Sequence, residues 1–351
     1  MSQIAAVHPV LPPFQYSQEE ITERFAEACL PDRDKQALLR RVHSSAAVTT
    51  RHLAVPIEQY ASFEHFGAAN DAFIDAALEL GSEALRGALK DAELDPADID
   101  VIVWTSTTGL AVPSMDSRIA AHVGLRPDVE RVPLFGLGCL AGAAGIARLH
   151  DLLRGAPGKI GALVSVELCS LTLQRDDPST ANLVASGLFG DGAAAVIMVA
   201  DEGTPTRGPI VRGSRSHLYP DSQRAMGWDI GASGLKIVLG VEVPDLVSTY
   251  LADDVKGFLA DFDLSKDDIT AWVAHPGGPK VLQAVQRSLD LTRADLDVTW
   301  RSLQRIGNLS SASVLHVLRD TLDTRKPPPG SAGLLFAMGP GFSAELVLLR
   351  W

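Results

Sequence analysis

Apolar positions along the chain follow two rhythms. Over residues 71–91, Phe73, Ala77, Leu80, Ala84 and Ala88 recur at three- and four-residue spacing, which predicts an amphipathic helix. Elsewhere residues come in short, mainly apolar runs: VIVW at 101–104, GALVSV at 161–166, AAAVIMVA at 193–200, AWVA at 271–274, AGLLFAM at 332–338 and AELVLL at 344–349. Such runs are expected of strands buried on both faces. Strands of that kind need helices on either side, which makes an α/β layered architecture.

The runs recur in order. The segment LDPADIDVIVWTSTT is followed by FGLGCLAGAAGIARLHDLL, IGALVSVE and FGDGAAAVIMVA; LSKDDITAWVAHPGG is followed by RIGNLSSASVLHVLRDTL and AGLLFAMGPGFSAELVLLR. Ile99 corresponds to Ile269, an offset of 170, and Gly138-Cys139-Leu140 to Gly307-Asn308-Leu309, an offset of 169. Nearly equal offsets point to a duplicated unit of helix, strand, loop, helix and two strands. The polar, Gly- and Pro-rich loop 201–209 is the expected boundary, giving halves 1–205 and 206–351.

Composition narrows the function classes. The 351 residues carry a formal net charge of −12, which argues against a general nucleic-acid binder. The three cysteines, Cys29, Cys139 and Cys169, have neither metal-ligand spacing nor the look of a disulfide framework. No metal is expected. The opening MSQIAAVHPVLPPFQYS lacks the features of a signal peptide, and no apolar run approaches the ~20 residues needed to span a bilayer. The expected compartment is the cytoplasm.

Cys139 stands among small residues in PLFGLGCLAGAAGIARLHDLL. The stretch from Leu140 onward reads as a helix in tight backbone contact with a neighbour. That places Cys139 at a helix N-terminus, where unpaired N–H groups and the positive dipole end favour a thiolate. A thiolate attacks thioesters; a buried structural cysteine is the plain alternative. An α/β-hydrolase elbow needs Gly two before and two after the nucleophile, and here those positions are Leu137 and Ala141. His275 follows AWVA directly and precedes Pro276-Gly277-Gly278-Pro279, a placement that projects a side chain into a cleft. His43, His52, His65, His122, His150 and His316 carry no second signal. Asn308, in RIGNLSSASVL, occupies the repeat position of Cys139; alone it would read as an N-cap. If the halves pack about a pseudo-twofold axis, Cys139, His275 and Asn308 face one cleft.

The stretches GLGCLAGAAG, LFGDGAAAVI, HPGGPKVLQAV, IGNLSSASVL and MGPGFSAELVLLR, which span most of the chain, resemble the type III polyketide synthases, the chalcone-synthase-like members of the thiolase-like condensing enzymes. RHLAVP and WRSLQRIGNLSSAS look most like actinobacterial members that make long-chain alkylpyrones. The resemblance implies a five-layered αβαβα fold and a homodimer. It implies an acyl-CoA starter loaded on Cys139, malonyl-CoA or methylmalonyl-CoA extenders, and no bound cofactor. In that scheme His275 pairs with the Cys139 thiolate. His275 and Asn308 then donate to the malonyl thioester oxygen as carbon dioxide leaves, and repeated rounds give a tri- or tetraketide that cyclises.

Residue by residue, the resemblance makes Phe189 a gatekeeper of the reaction chamber. It puts Thr107, Thr108, Glu167, Cys169, Thr172 and Ser310 on the cavity wall, and Val112 where the chain reaches into its partner's cavity. Ile237 stands where plant enzymes carry a second gatekeeping phenylalanine, and Met338 replaces the Phe of the GFGPG loop. An apolar wall with Cys169 and Ile237 suits an aliphatic starter, since each buried CH₂ contributes ~0.8 kcal/mol. For CoA, the expected groups are Arg40 and Arg41 on a basic helix, with Gly277 and Lys280 after His275. The runner-up is a single-round ketoacyl synthase III-like condensing enzyme, although such enzymes usually have Ala and Asn in the loop after the His, where this chain has Pro276-Gly277-Gly278. A thiolase needs a second catalytic Cys near the C-terminus, and none follows Cys169. A cysteine hydrolase or a non-catalytic acyl-CoA binder are the remaining alternatives.

Overall fold

The computed structural model describes residues 1–30, 32–200 and 208–351. Its strands are β1 (Ser2–Val10), β2 (Phe14–Ser17), β3 (Thr50–Leu53), β4 (Val101–Thr105), β5 (Glu130–Leu134), β6 (Ile160–Leu168), β7 (Asp191–Ala200), β8 (Ile210–Leu218), β9 (Met226–Gly231), β10 (Gly234–Leu239), β11 (Ile269–Ala274), β12 (Ala332–Gly339) and β13 (Ser343–Arg350). Its helices are α1 (Gln18–Cys29), α2 (Arg33–Ser44), α3 (Phe66–Ala92), α4 (Met115–Val123), α5 (Ala141–Arg154), α6 (Thr180–Leu188), α7 (Val243–Ala260), α8 (Pro279–Leu289), α9 (Asp297–Ile306) and α10 (Ser313–Thr324).

The mainly apolar runs are explained by cores on both sides of each sheet. Along β6, Ala162, Val164 and Val166 pack with Phe73, Ala77 and Leu85 of α3, while Leu163 points the other way, to α5. Along β12, Leu334 and Phe336 meet α7 and α8, while Leu335 and Ala337 join the cluster of α5 and α10. Alternate residues of one strand therefore serve different cores. The layers run α3, sheet, α5 with α10, sheet, α7 with α8, as the five-layered expectation required. The sheet halves, β5-β4-β6-β7-β1 and β8-β13-β12-β11, join edge to edge at Ser2↔Val211 and Gln3↔Ile210.

The duplicated unit is visible in this order. The first copy is α3, β4, α5, β6, β7; the second is α7, β11, α10, β12, β13. The helix read over 71–91 begins five residues earlier, at Phe66, where the His65 ring accepts the Ala68 N–H at 3.2 Å. The 205/206 boundary lies outside the described residues. Among the described residues, no helix is long and apolar enough to cross a membrane.

Candidate active site

Cys139 sits in a 3-10 turn, Gly138–Leu140, directly ahead of α5. The helix expected from Leu140 thus starts at Ala141, which leaves the thiol just outside the positive end of the helix. Asn308, its counterpart in the repeat, stands just ahead of the 3-10 turn Ser310–Ala312 that leads into α10. Each follows a glycine in the left-handed region, with φ of +51° at Gly138 and +73° at Gly307. Asn308 does not cap α10, whose N-cap is Ala312; its Oδ1 accepts the Ser310 N–H at 2.8 Å.

The halves interlock at these residues. The Asn308 N–H donates to Leu188 O and the Gly190 N–H to Asn308 O, both at 2.9 Å, so Phe189 pairs with Asn308 backbone to backbone. The Cys139 thiol lies 3.6 Å from Ser310 Oγ. A Cβ at Gly142 would stand 2.2 Å from Ser311 O, so only glycine lets α5 come this close to the second half. His275, reached through β11, is anchored by its own N–H to Phe336 O at 3.0 Å. Its buried ring has no partner at either nitrogen.

Two cavities meet at Cys139. The smaller, about 390 Å³, is lined by Cys139, His275, Asn308, Phe189, Gly277 and Lys280, so the three candidate catalytic side chains share one space. It reaches the surface at Lys280 and Thr180, which are exposed. The larger, about 640 Å³, is lined by Cys139, Thr107, Thr108, Cys169, Thr172 and Ser310, and on its other side by Phe189, Ile237 and Trp228. Phe189 therefore stands between the two.

Burial dominates the electrostatics. It pushes the Cys139 thiol up to about 12; hydrogen bonding with Ser310 and Asn308 pulls the other way, and the Glu167 charge adds to the rise. Burial alone brings His275 down to about 3. Burial therefore favours the uncharged form of each group taken alone.

Glu167 is a cavity residue only at one remove. It is fully buried behind the wall, accepting Thr107 N–H at 3.0 Å, Thr108 Oγ1–H at 2.9 Å and the Ser311 hydroxyl. It thereby ties the loop after β4 to the turn before α10. Its carboxyl is raised by burial, opposed by these hydrogen bonds. Asp191, of the FGDG stretch, is likewise a buried anchor, accepting Ala54 N–H at 2.6 Å and Ser170 N–H at 2.8 Å. Its pKa is lifted to about 6 by burial.

The remaining expectations divide. Val112 is 96% exposed on the loop before α4 and lines neither cavity of its own chain. Arg40 and Arg41 are exposed and line neither cavity. The Arg40 guanidinium is committed to Glu23 through bonds of 2.8 and 2.7 Å. Sequence reasoning passed over Trp228, whose indole N–H donates to Thr107 Oγ1 at 3.2 Å, and Arg51, whose buried Nη1 holds Ser186 O at 2.5 Å and Phe189 O at 2.9 Å. The signal for Trp228 was present. Met226, Trp228 and Ile230 alternate on one side of the GASG turn, and Leu235, Ile237 and Leu239 on the other, which marks a hairpin.

A family model described as chalcone and stilbene synthases, N-terminal domain, matches residues 2–202, and its C-terminal counterpart matches residues 211–351. The chain belongs to the chalcone and stilbene synthase family. It is a type III polyketide synthase with the thiolase-like fold of that family, an acyltransferase by decarboxylating Claisen condensation. A 1,3,6,8-tetrahydroxynaphthalene synthase of Streptomyces peucetius is 56% identical over 100% of this chain and 93% of its own. A putative chalcone synthase of Bacillus subtilis is 33% identical over 100% of this chain and 99% of its own. The crystal structure of the Streptomyces coelicolor tetrahydroxynaphthalene synthase superposes with a TM-score of 0.94 at 30% identity, covering 99% of both chains.

Proposed function

We propose that this polyketide synthase condenses malonyl units on Cys139 and closes the chain to a polyhydroxylated aromatic of the tetrahydroxynaphthalene type. The reading is carried by the meeting of Cys139, His275 and Asn308 at the junction of two cavities, in a chain 56% identical end to end to a synthase of that name. A naphthalene skeleton divides into five two-carbon units, each being what remains of a malonyl unit after loss of carbon dioxide.

The roles follow from the surroundings. Moving the thiol proton to His275 turns two uncharged buried groups into an adjacent pair of opposite charges, whose attraction offsets the desolvation each would face alone. The thiolate attacks the starter thioester; the bond to the Cys139 sulfur forms, the bond to the CoA sulfur breaks, and the leaving thiolate takes up a proton. A malonyl thioester then lies with its carbonyl oxygen toward His275 and the Asn308 amide. As its C–C bond breaks and carbon dioxide leaves, the electron pair passes to that oxygen as an enolate. Donors fixed beforehand in a water-poor site favour such developing charge. The enolate carbon attacks the acyl group on Cys139 and releases the sulfur. The smaller cavity suits the pantetheine arm, with Lys280 at its mouth for a CoA phosphate. The larger one suits the growing chain. In this reading a second copy packs on the loop that exposes Val112.

A second reading, an alkylpyrone grown from a fatty acyl starter, is favoured by the apolar stretch of the larger cavity beneath α1. The test of the shared chemistry is mutational. Cys139→Ala is expected to abolish loading, and His275→Ala and Asn308→Ala to suppress malonyl-CoA decarboxylation. An Asn308→Ala enzyme that decarboxylates at the wild-type rate refutes its donor role.

A further inference from the structure

One helix stands between the two cavities. Helix α6 turns Asn182, Ala185 and Ser186 to the larger and Ala181, Val184 and Leu188 to the smaller, the three- and four-residue spacing of opposite helical faces. It leads into Phe189, which lines both. Phe189 is extended, with φ of −83° and ψ of 141°, so α6 ends without the left-handed glycine that often closes a helix. Its last four carbonyls must then be met by other donors. The Phe189 N–H reaches Ala185 O at 3.0 Å, Gln18 Nε2 reaches Gly187 O at 2.7 Å, and the Asn308 N–H reaches Leu188 O at 2.9 Å. Ser186 O is held by Arg51 Nη1 at 2.5 Å, from β3.

The same Arg51 nitrogen also donates to Phe189 O at 2.9 Å. Phe189 is in turn paired with Asn308, whose N–H and C=O both go to this segment, to Leu188 O and to the Gly190 N–H. Arg51 therefore joins the backbone that carries the ring between the cavities and the backbone that carries the Asn308 amide. The fit is close. A Cβ at Gly307 would stand 3.3 Å from Arg51 Cγ and 2.8 Å from Leu188 O; one at Gly190 would stand 3.6 Å from Arg51 Cγ and 2.8 Å from Ile306 O. The arginine stem lies along the two glycines that flank the pairing. Arg51 is 2% exposed, and its charge is supported by the buried Asp191 carboxyl. Burying such a charge is costly and is weak evidence of a stabilising role, whereas its two bonds converge on the gate.

We propose that Arg51 is a positioning residue for the condensation: by its two bonds to the end of α6 it holds the Phe189 ring between the cavities and, through the Phe189 backbone, the Asn308 amide in place beside Cys139. The proposal rests on the donor role given to Asn308 above. Arg51 acts through Phe189 and Asn308 rather than on the reacting atoms. Its effect falls on the loss of carbon dioxide from the malonyl thioester, the step for which the Asn308 amide must already be in place. Acylation of Cys139 draws on the thiol and His275, which are held by their own turn and strand. A displacement of about 1 Å in such a donor set slows the step by up to about a hundredfold. Gln18 serves the same helix end at Gly187 O, two residues short of Phe189, and so separates positioning from anchorage of α6.

The experiment compares wild type, Arg51→Met, Arg51→Lys and Gln18→Met. Each is given malonyl-CoA labelled in its carboxylate, and two rates are read: release of labelled carbon dioxide, and first acylation of the Cys139 peptide by mass. Arg51→Met is expected to lose about tenfold or more in carbon dioxide release while acylation falls by less than about threefold. Arg51→Lys, which keeps the charge beside Asp191 and a donor for one of the two carbonyls, should lie between Arg51→Met and wild type. Gln18→Met should stay near wild type in both rates. An Arg51→Met enzyme that releases carbon dioxide at the wild-type rate overturns the proposal, as does an equal loss in both rates, or a Gln18→Met enzyme that falls as far as Arg51→Met. Failure of the Asn308 reading looks different: Asn308→Ala releases carbon dioxide as fast as wild type, and the positioning role falls with it. Should Arg51→Met not fold, Arg51→Lys decides. Slower carbon dioxide release with acylation kept supports the role, and a wild-type release rate overturns it.

Discussion

Alkylation of the cysteines separates a catalytic pair from a merely buried thiol. Burial puts Cys139 at about 12 and Cys29 at about 11. With no base to help, Cys139 holds about a tenth of the thiolate that Cys29 does. Its higher intrinsic nucleophilicity, with a Brønsted slope of about 0.45, recovers about threefold. The lone-thiol expectation is therefore that iodoacetamide labels Cys139 about three- to fourfold more slowly than Cys29. If the proton passes to His275, the imidazolium beside it lowers the thiol, as in His-paired thiolates. Each unit of lowering raises the thiolate about tenfold and costs about threefold in nucleophilicity, a net gain of about three- to fourfold. The prediction is Cys139 labelled on the order of tenfold faster than Cys29 in the wild type, with the order reversed in His275→Gln. Peptide mass spectrometry of time-quenched samples reads both rates at once. A wild-type Cys139 slower than Cys29, or a His275→Gln enzyme that keeps the fast phase, would refute the pairing.

Three further outcomes follow from the same structure. Gly142→Ala places a methyl 2.2 Å from Ser311 O and 2.8 Å from Val314 Cγ1. Overpacking of that kind costs about 1–3 kcal/mol, so the denaturation midpoint and kcat should fall together; an unaltered midpoint shows that the halves give way. Trp228→Ala removes a wall of the larger cavity and frees the Thr107 hydroxyl, so products analysed by mass should shift toward longer ketides; an unchanged spectrum excludes Trp228 from the growing chain's space. Acid should unfold the protein steeply. His275 and His43 are held at about 3, and His150 and His316 at about 4, with burial the largest cause for each. The folded state prefers their neutral forms, so their stabilisation is complete above the unfolded value of about 6.5 and is lost as pH falls toward 4. Asp191, raised to about 6, and Glu167, Glu345 and Asp320, also raised by burial, take up protons earlier in the folded state and oppose part of that loss. Between pH 7 and pH 5, where the histidines titrate first, stability is expected to fall by at most about 5 kcal/mol per pH unit, the limit for four protons. Urea unfolding from pH 7 to pH 5 measures it, and a flat profile contradicts the assignment.

What was legible in the sequence was whatever repeats. The α3 stripe and the two-faced strands declare themselves because burial dictates every residue in them. The duplication paired Cys139 with Asn308, and both stand just ahead of a helix and line one cavity. The first turn of α3 went unread because Gly67 and Ala68 carry no stripe, and its cap is a histidine rather than one of the favoured residues. The 3-10 turn at Gly138–Leu140 was hidden because small residues suit a turn and a helix alike. Glu167 read as a wall residue because a motif gives position, not depth; only coordinates show it behind the surface, fastened to Ser311. Arg40 illustrates the same limit for charge, since Glu23, seventeen positions earlier, engages it. The apolar stretch beneath α1 was out of reach, because a cavity is formed by segments far apart in the chain.

The most direct test asks whether one sulfur carries the growing chain. Wild-type enzyme is mixed with malonyl-CoA, quenched with acid after successive short intervals, digested, and its cysteine peptides weighed. Acyl adducts are expected on the Cys139 peptide, lengthening in two-carbon steps and absent in Cys139→Ala. Adducts on Cys29 or Cys169 instead, or free product with no covalent adduct at any time, would contradict it.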